Sequence, residues 1–486
     1  MIKYGRDYTC DHGEPLDDQG NGIDCAKCTK PVETFGAIKL SEMIVPRIVG
    51  RYRWCKALGW LYFDGACWSM DADTVVWGEV VAAVKAYTRK LLEESPTGLT
   101  LTNLKELATF SSGAVQSHAL KLARAAPGVL TSVATFDRLP EPGAPWLLPC
   151  SNGYTVELFP DGRTKVRRTS PDDLNTHVAC AYDPDAVAPT AMEAFCKYQP
   201  DESVRTYLLQ TWARGMSGMG MEKFLVNLGE RGGNGKSTME GVLTEVAGDY
   251  AAQLPVEVIV KGRGAAREVY RSELAQMRGA RLVFCDEPEE GAQYNLGMLK
   301  KITGGGALQG RHMGKEAITF HPRILFQMSS NNRPSWSADG GMKRRYVEVS
   351  WDYVVKAGDL RESFKEELKA EASGFLNVVL SNWMGADPVE VPDAIQRQTE
   401  RGEAESSPAA KFVTEAIRKS AGGFVSSRRM YDAYAEWAKQ NGIRNPISST
   451  KLGRELPRLG LERKHTESGN VWQNVDVVEE YVRTAF

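Results

Sequence analysis

A glycine-rich stretch, "GERGGNGKST" at positions 229–238, carries the residue types that bind a phosphate group. Glycines let backbone N–H groups converge on an anion, a lysine reaches the β- and γ-phosphates, and a hydroxyl binds Mg²⁺. The usual motif has its first glycine at the position of Glu230, whereas this chain has Gly229 one residue earlier. The nucleotide-binding candidates are Gly232, Gly233, Asn234, Gly235, Lys236, Ser237 and Thr238.

The sequence around this stretch favours phosphate binding over the alternative, a merely flexible glycine loop. The apolar run "FLVNL" comes directly before it, and the helix-like pattern "MEGVLTEVAG" follows. A strand, a loop and a helix N-terminus in this order are the context that the motif requires.

Later apolar runs place further reactive side chains at their ends. "RLVFC" is followed by Asp286 and Glu287, of which one could hold Mg²⁺ and the other could polarise an attacking water. "RILFQMSS" leads into Asn331, whose amide could orient that water. Arg344 and Arg345 precede "YVEVSW" and could stabilise phosphate charge in a neighbouring subunit. The alternatives are an ordinary strand end, a turn and a solvated basic pair.

The composition indicates a multidomain protein outside the membrane. The chain has 486 residues, 42% of them hydrophobic, which suggests roughly three domains. Sixty basic and 62 acidic residues balance, so any binding of nucleic acid must come from local clusters. We expect a cytoplasmic protein with no membrane partner, because the first residues contain no apolar leader. Cys180, Cys196 and Cys285 lie in apolar runs and are expected to be reduced core thiols.

The first 38 residues contain four soft metal ligands, Cys10, His12, Cys25 and Cys28. Two cysteine or histidine pairs could close a tetrahedral zinc site. The Cys25 and Cys28 pair has good spacing, whereas the Cys10 and His12 pair is unusually tight. The alternative is a tail with incidental cysteines.

Five blocks in order, "GGNGKST", "RLVFCDE", "KKITGGG", "HPRILFQMSSNNRP" and "DGGMKRRYVEV", resemble the superfamily 3 helicase core of phage and plasmid primase-helicase proteins. The resemblance covers about 150–352 and implies an α/β fold with an AAA+-like P-loop NTPase core. It assigns Lys236 and Ser237 to Walker A, and Asp286 and Glu287 to Walker B. Asn331 corresponds to sensor 1, and Arg345 or Arg344 to the arginine finger. The chain departs from the family at 303–306, which reads "TGGG" where "TGGD" is frequent.

The resemblance also implies a hairpin that grips DNA. "ALQGRHM" and "AITFHPRI" can pair around the short turn "GKE". In the family such a hairpin carries basic residues at its end, which points to Lys315 and then to His312 and Arg311. The alternative is a surface hairpin with a solvated lysine.

The chain divides into five predicted parts: a small zinc-binding segment (1–38), an α+β adaptor domain (39–199), the ATPase domain (200–385), a linker (386–407) and a winged-helix domain (408–486). The last part shows three amphipathic helices and a hairpin, a pattern typical of a winged helix that binds DNA. Its basic face would contain Lys451, Arg454, Arg463 and Lys464. A winged helix that binds protein is the alternative.

These features together predict an ATP-dependent DNA helicase of a phage or mobile element, acting in the cytoplasm of a bacterial host. The expected partners are single-stranded and forked DNA, with ATP and Mg²⁺ at the interfaces of a homo-oligomeric ring, expected to be a hexamer. No primase constellation precedes the core, so priming would require a separate primase or other replication proteins. The alternatives are a P-loop ATPase of another class and an origin-binding protein that assembles with ATP without unwinding DNA.

Overall fold

The computed structural model describes residues 26–481 except 71, 230–231, 262–270, 290–291, 293, 312–315, 334–339, 357–362, 444–445 and 467–468. The described residues fall into two compact units. The first lies within Met1–Leu158, Thr164–Tyr182 and Arg311–Ile318, and the second within Phe159–Arg163, Asp183–Gly310 and Thr319–Phe486. No helix in this part of the chain is both long and apolar enough to cross a bilayer.

The described part of the first unit combines four α-helices with two small antiparallel sheets. The helices are α1 (Ala26–Ile48), α2 (Asp73–Glu94), α3 (Leu101–Phe110) and α4 (Gly113–Ala123). The strands are β1 (Tyr52–Cys55), β2 (Gly59–Phe63), β3 (Trp68–Ser69), β4 (Trp146–Cys150), β5 (Tyr154–Leu158) and β6 (Thr164–Arg168). Leu40, Ile44, Val80 and Trp60 share one buried apolar cluster, which joins α1 and α2 to the first sheet. Helix α1 runs across the predicted boundary at 38/39.

The second unit is built on a five-stranded parallel sheet. The large sheet contains β7 (Phe224–Leu228), β8 (Ala251–Gln253), β9 (Leu282–Cys285), β12 (Leu325–Ser330) and β13 (Tyr346–Ser350). Between β9 and β12 in the chain, β10 (Leu308–Gly310) and β11 (Ile318–Phe320) form a separate two-stranded sheet. The order in the large sheet is β13-β7-β12-β9-β8, and every neighbouring pair is parallel. Strands β10 and β11 pair with each other, as the sequence predicts for the hairpin.

Helices cover both faces of this sheet, as the continuous apolar strands require. They are α5 (Pro189–Tyr198), α6 (Glu202–Ser217), α7 (Lys236–Ala247), α8 (Arg271–Gln276), α9 (Leu296–Thr303), α10 (Gly340–Lys343), α11 (Phe364–Ala370) and α12 (Ala372–Leu380). On one face, Val283 and Phe326 cluster with Leu299 of α9. On the other, Trp212 Nε1 of α6 donates to Gln327 Oε1 at 3.2 Å. The alternating side chains of each strand therefore fill two cores.

Helix α5 belongs to the second unit, so the first unit ends earlier than the predicted boundary at 199/200. Phe195 of α5 contacts Trp212 and Phe375, with ring centroids 5.2 and 6.3 Å apart. The same helix exposes Cys196. The expectation that Cys196 is a core thiol is therefore wrong, because Phe195 occupies the inward position and the next residue points away. Cys285 is buried as expected, and Cys180 is partly buried.

The predicted linker 386–407 contains a helix, α13 (Asp393–Ser406). Strand β13 is at the edge of the parallel sheet, so its outer backbone N–H groups have no partner strand among the described residues. Thr399 Oγ1 accepts from Glu348 N at 3.0 Å, and Gln398 Oε1 accepts from Ser350 N at 3.2 Å. The segment is helical, not a simple connection, because its polar side chains satisfy this edge.

The C-terminal residues have an apolar cluster of their own. They form α14 (Pro408–Ala416), β14 (Ile417–Ser426), α15 (Ser427–Gln440), α16 (Ser449–Glu455), β15 (Arg463–Thr466) and β16 (Gly469–Val477), with antiparallel sheet order β14-β16-β15. Phe412, Tyr434, Trp437 and Trp472 are among the buried residues. Ser426 and Ser448 cap α15 and α16, as predicted. Strand β14 was not predicted.

Candidate functional site

Three neighbouring strands bring the predicted reactive residues to one edge of the parallel sheet. Strand β12 lies between β7 and β9, and Ser330 is level with Leu228 while Met328 is level with Cys285. Three segments therefore leave the sheet side by side: the predicted phosphate loop that begins at Gly229, the acidic pair after β9 and the asparagines after β12. Ligands of open α/β sheets bind at this carboxyl edge.

Lys236 is the buried centre of the site. The residue is only 8% exposed, and Nζ donates to Ser330 O at 2.9 Å, Gly229 O at 3.2 Å and Asn331 Oδ1 at 2.9 Å. Burial lowers the pKa of Lys236, and the negative charge of Glu287 acts in the opposite direction. Three acceptors thus match the three N–H groups of the ammonium.

Close packing requires two glycines of the predicted phosphate loop, Gly229 and Gly235. A Cβ at Gly229 would lie 1.7 Å from Asn234 Nδ2 and 2.8 Å from Lys236 Nζ. Gly235 has φ +85° and caps α7, and a Cβ there would lie 2.4 Å from the ring of Tyr198. Gly229 lies one residue earlier than the first glycine of the usual motif. A glycine is required there because its carbonyl accepts a hydrogen bond from Lys236 and a side chain would clash with Asn234 and Lys236.

Glu287 is held by the two asparagines that follow β12. Its Oε1 accepts from Asn331 N at 2.7 Å and from Asn332 N at 3.0 Å, and its Oε2 accepts from Asn331 Nδ2 at 2.7 Å. Asn332 Nδ2 also donates to Oε1 at 3.2 Å. Asn331 thus contacts both Lys236 and Glu287. The sequence places Asn332 at the same strand end, but only Asn331 was assigned a role, although the repeated amide in "SSNN" was a signal for both.

The remaining predicted metal ligands, Ser237 and Asp286, are exposed. Asp286 follows β9 directly, and Ser237 is in the first turn of α7. Nearby, Glu240 accepts from Ser329 Oγ at 3.2 Å, and burial raises the pKa of Glu240 to about 6, with the charge of Asp286 acting in the same direction. A hydroxyl and carboxylates are the oxygen ligands that Mg²⁺ prefers, so this donor set fits the ion.

The two predicted arginine-finger candidates lie at the opposite edge of the sheet. Arg345 O accepts from Phe224 N at 2.8 Å, at the start of β7. The five residues of β7 separate that point from the phosphate loop by about 17 Å. The Arg344 side chain is 67% exposed, whereas the Arg345 side chain is 11% exposed. The role of either arginine stays a prediction, but neither lies beside the loop of its own chain.

The predicted DNA contacts are only partly described. Lys315 and His312 lie outside the described residues, while Arg311 directly follows β10. In the C-terminal segment, Lys451 and Arg454 are on α16, and Arg463 and Lys464 are on β15. Three of these four side chains are exposed: Arg454, Arg463 and Lys464. DNA binding at both places stays a prediction.

The predicted zinc ligands Cys10, His12 and Cys25 also lie outside the described residues, and Cys28 falls in α1 without a described side chain. Zinc binding there is therefore still a prediction. We expect purified protein to carry about one zinc per chain, and Cys25→Ser to lose it, because a structural site needs all four ligands. Elemental analysis under reducing conditions measures this, with Cys196→Ser as the matched control. A metal-free wild-type chain would contradict the prediction.

The fold and site define a mixed α/β protein whose parallel sheet gathers a buried lysine, a carboxylate and an amide at one edge. Residues 228–345, which contain the predicted phosphate loop, match a family of unknown function (DUF5906). Residues 404–484 match the family described as poxvirus D5 protein-like. The chain is also similar to two viral proteins. "Putative helicase L207/L206" of Acanthamoeba polyphaga mimivirus is 29% identical over 173 residues, and "Putative helicase 022R" of Frog virus 3 (isolate Goorha) is 21% identical over 281 residues.

These similarities are partial. They cover 35% and 53% of this chain but only 18% and 28% of the mimivirus and frog-virus proteins. Among solved structures, the apo A form of the NrS-1 C-terminal region is matched over 76% of this chain and 90% of that one, with 10% identity and a TM-score of 0.41. A second apo structure of that region, residues 305–718, has a TM-score of 0.36.

Proposed function

We propose that this chain is an ATP-dependent DNA helicase that hydrolyses ATP at the carboxyl edge of the five-stranded sheet. The observation that carries the proposal is the convergence of Lys236, Glu287 and Asn331 from three different strand ends. The similarity to viral proteins named as putative helicases supports the coupling of this site to DNA.

Each residue of the site has a role that its geometry supports. The backbone N–H groups of the loop and of the first turn of α7 would bind the phosphates, because Gly235 caps that helix with no side chain in the way. Lys236 would exchange some of its present acceptors for phosphate oxygens. Glu287 would polarise the attacking water, and Asn331 would hold Glu287 in place. Mg²⁺, bound by Ser237 and Asp286, would neutralise phosphate charge.

Hydrolysis would occur between subunits of a ring, expected to be a hexamer. The arginine pair is about 17 Å along β7 from the loop of its own chain, so it cannot complete that site. In a ring, the amino edge of one sheet can face the carboxyl edge of the next. The greater exposure of Arg344 favours it over Arg345 as the finger.

We expect Arg344→Ala to lower ATP turnover by about 10³-fold or more, because an arginine finger stabilises charge that develops in the transition state. Nucleotide affinity should be unchanged, since the variant keeps its own loop. Mixing inactive Arg344→Ala with inactive Lys236→Ala protein should restore part of the turnover, because some interfaces then pair an intact loop with an intact finger. Arg163→Ala, which removes an exposed arginine from an ordinary surface ion pair with Asp161, is the control. Mixed rings without any recovery would contradict action between subunits.

We further propose that the hairpin of β10 and β11 grips single-stranded DNA through Lys315. A lysine contact to phosphate adds affinity that falls with salt and carries little sequence information. Lys315→Ala should therefore weaken single-strand binding, flatten its salt dependence and stop unwinding, while basal ATP turnover stays near normal. Fluorescence anisotropy across a salt series measures this, with Lys301→Ala as the control. An unchanged unwinding rate in intact rings would contradict the assignment.

The proposal is tested by ATP turnover with and without single-stranded DNA, followed on forked duplex by strand displacement. A helicase should show both stimulation and displacement. Stimulated hydrolysis without displacement would instead indicate a P-loop ATPase of another class. ATP-dependent assembly without turnover would indicate an origin-binding protein, whose contacts would then come from the C-terminal segment that contains Arg454 and Lys464.

A further inference from the structure

A single carboxylate joins the two arginines at the amino edge of the sheet. Glu222 Oε1 lies 2.5 Å from Arg345 Nη2 and 3.3 Å from Arg344 Nη2. Glu222 is two residues before β7, on a half-exposed surface. One negative charge between two adjacent guanidinium groups offsets their mutual repulsion.

The two arginines differ in how firmly they are held. Arg345 is mostly buried, and its Nη1 also donates to Gly341 O at 3.0 Å. A Cβ at Gly304 would lie 3.4 Å from Arg345 Nη2 and 2.7 Å from Lys300 O, so this glycine of the "TGGG" segment leaves room for the guanidinium. Among the described residues, Arg344 is held to Glu222 by Nη2, and its other N–H groups are left for a ligand.

We propose that Glu222 is a positioning residue for Arg344: anchored by Arg345, it holds the Arg344 guanidinium in the orientation that reaches the nucleotide of the neighbouring subunit. This inference rests on the proposed function, because it requires ATP hydrolysis between subunits. The sequence offers no motif at this position, since Glu222 precedes β7 in the short connection "GMGMEK". Only the folded chain brings it to the arginines, 122 and 123 residues later.

The test compares Glu222→Ala and Glu222→Gln with Arg344→Ala, Lys236→Ala and the control Glu366→Ala, which removes an exposed carboxylate from an ordinary ion pair with Lys369. We expect Glu222→Ala to lower kcat by about 10²-fold, the size of effect that a small misplacement produces. The affinity for ATP should not change. Glu222→Gln, which keeps an acceptor but no charge, should be intermediate.

Mixing Glu222→Ala with Lys236→Ala protein distinguishes a positioning role of Glu222 from a general structural role. Glu222→Ala keeps an intact phosphate loop, so Lys236→Ala protein should restore its turnover as it does for Arg344→Ala. Lost ATP affinity, a lowered unfolding midpoint for both Glu222 variants, wild-type activity, or no recovery where the Arg344→Ala mixture recovers would each overturn the inference. If the Arg344→Ala mixture itself fails to recover, the proposed function fails at the subunit interface, and the role of Glu222 fails with it.

Discussion

Lys236→Ala is expected to lower ATP turnover by about 10³-fold, because the proposed mechanism places this cation against the β- and γ-phosphates. The buried ammonium donates hydrogen bonds to Gly229 O, Ser330 O and Asn331 Oδ1. The variant therefore also removes the hydrogen bonds that these three acceptors receive from Lys236. Nucleotide affinity should fall together with turnover. The measurement is steady-state phosphate release with equilibrium nucleotide binding.

The control for this variant is Lys369→Ala, which removes a half-exposed lysine from an ordinary surface ion pair. Unsatisfied buried acceptors cost about 1–3 kcal/mol, so the unfolding midpoint of Lys236→Ala must be measured alongside its activity. Near-normal turnover in a folded Lys236→Ala protein would contradict the assignment of the phosphate loop.

Glu287→Gln is expected to bind ATP and to hydrolyse it about 10²–10⁴-fold more slowly, because an amide cannot act as a general base. The glutamine keeps the shape of the side chain and can still accept from Asn331 N and Asn332 N, the contacts now made by Oε1. Asn331 Nδ2 loses a carboxylate acceptor, so its side chain must reorient. Single-turnover hydrolysis separates this chemical defect from binding.

Asp286→Asn is the matched comparison at the adjacent carboxylate. It should weaken the Mg²⁺-dependent part of nucleotide binding, because an amide is a poorer ligand for a hard cation. If Glu287→Gln instead loses ATP binding and Asp286→Asn retains it, the roles of the two acids are reversed.

Much of the site could be predicted because its residues stand at the ends of apolar runs. Parallel strands place their carboxyl ends at one edge, so Lys236, Glu287 and Asn331 could be expected there from local pattern alone. The order of the strands could not be predicted. Strand β12 separates β7 from β9 and thereby puts Asn331 within hydrogen-bond distance of both Lys236 and Glu287.

The features that sequence reasoning missed depend on tertiary contacts. The charged composition of 386–407 suggested a linker, but Gln398 and Thr399 bind the edge of β13 and the segment folds as a helix. Arg344 and Arg345 are adjacent residues of the same type, and only the burial of their side chains distinguishes them. Cys196 was expected to be buried from its apolar neighbours, yet the helical rotation turns it outward.

Strand displacement on a forked duplex tests the central claim most directly, because it asks whether hydrolysis at this site moves DNA. The account predicts displacement that requires ATP and Mg²⁺, with turnover stimulated by single-stranded DNA, and predicts that Lys236→Ala and Glu287→Gln both stop it. Two results would contradict the account. One is ATP turnover that single-stranded DNA does not stimulate and that leaves the forked duplex paired. The other is strand displacement that persists in Lys236→Ala rings.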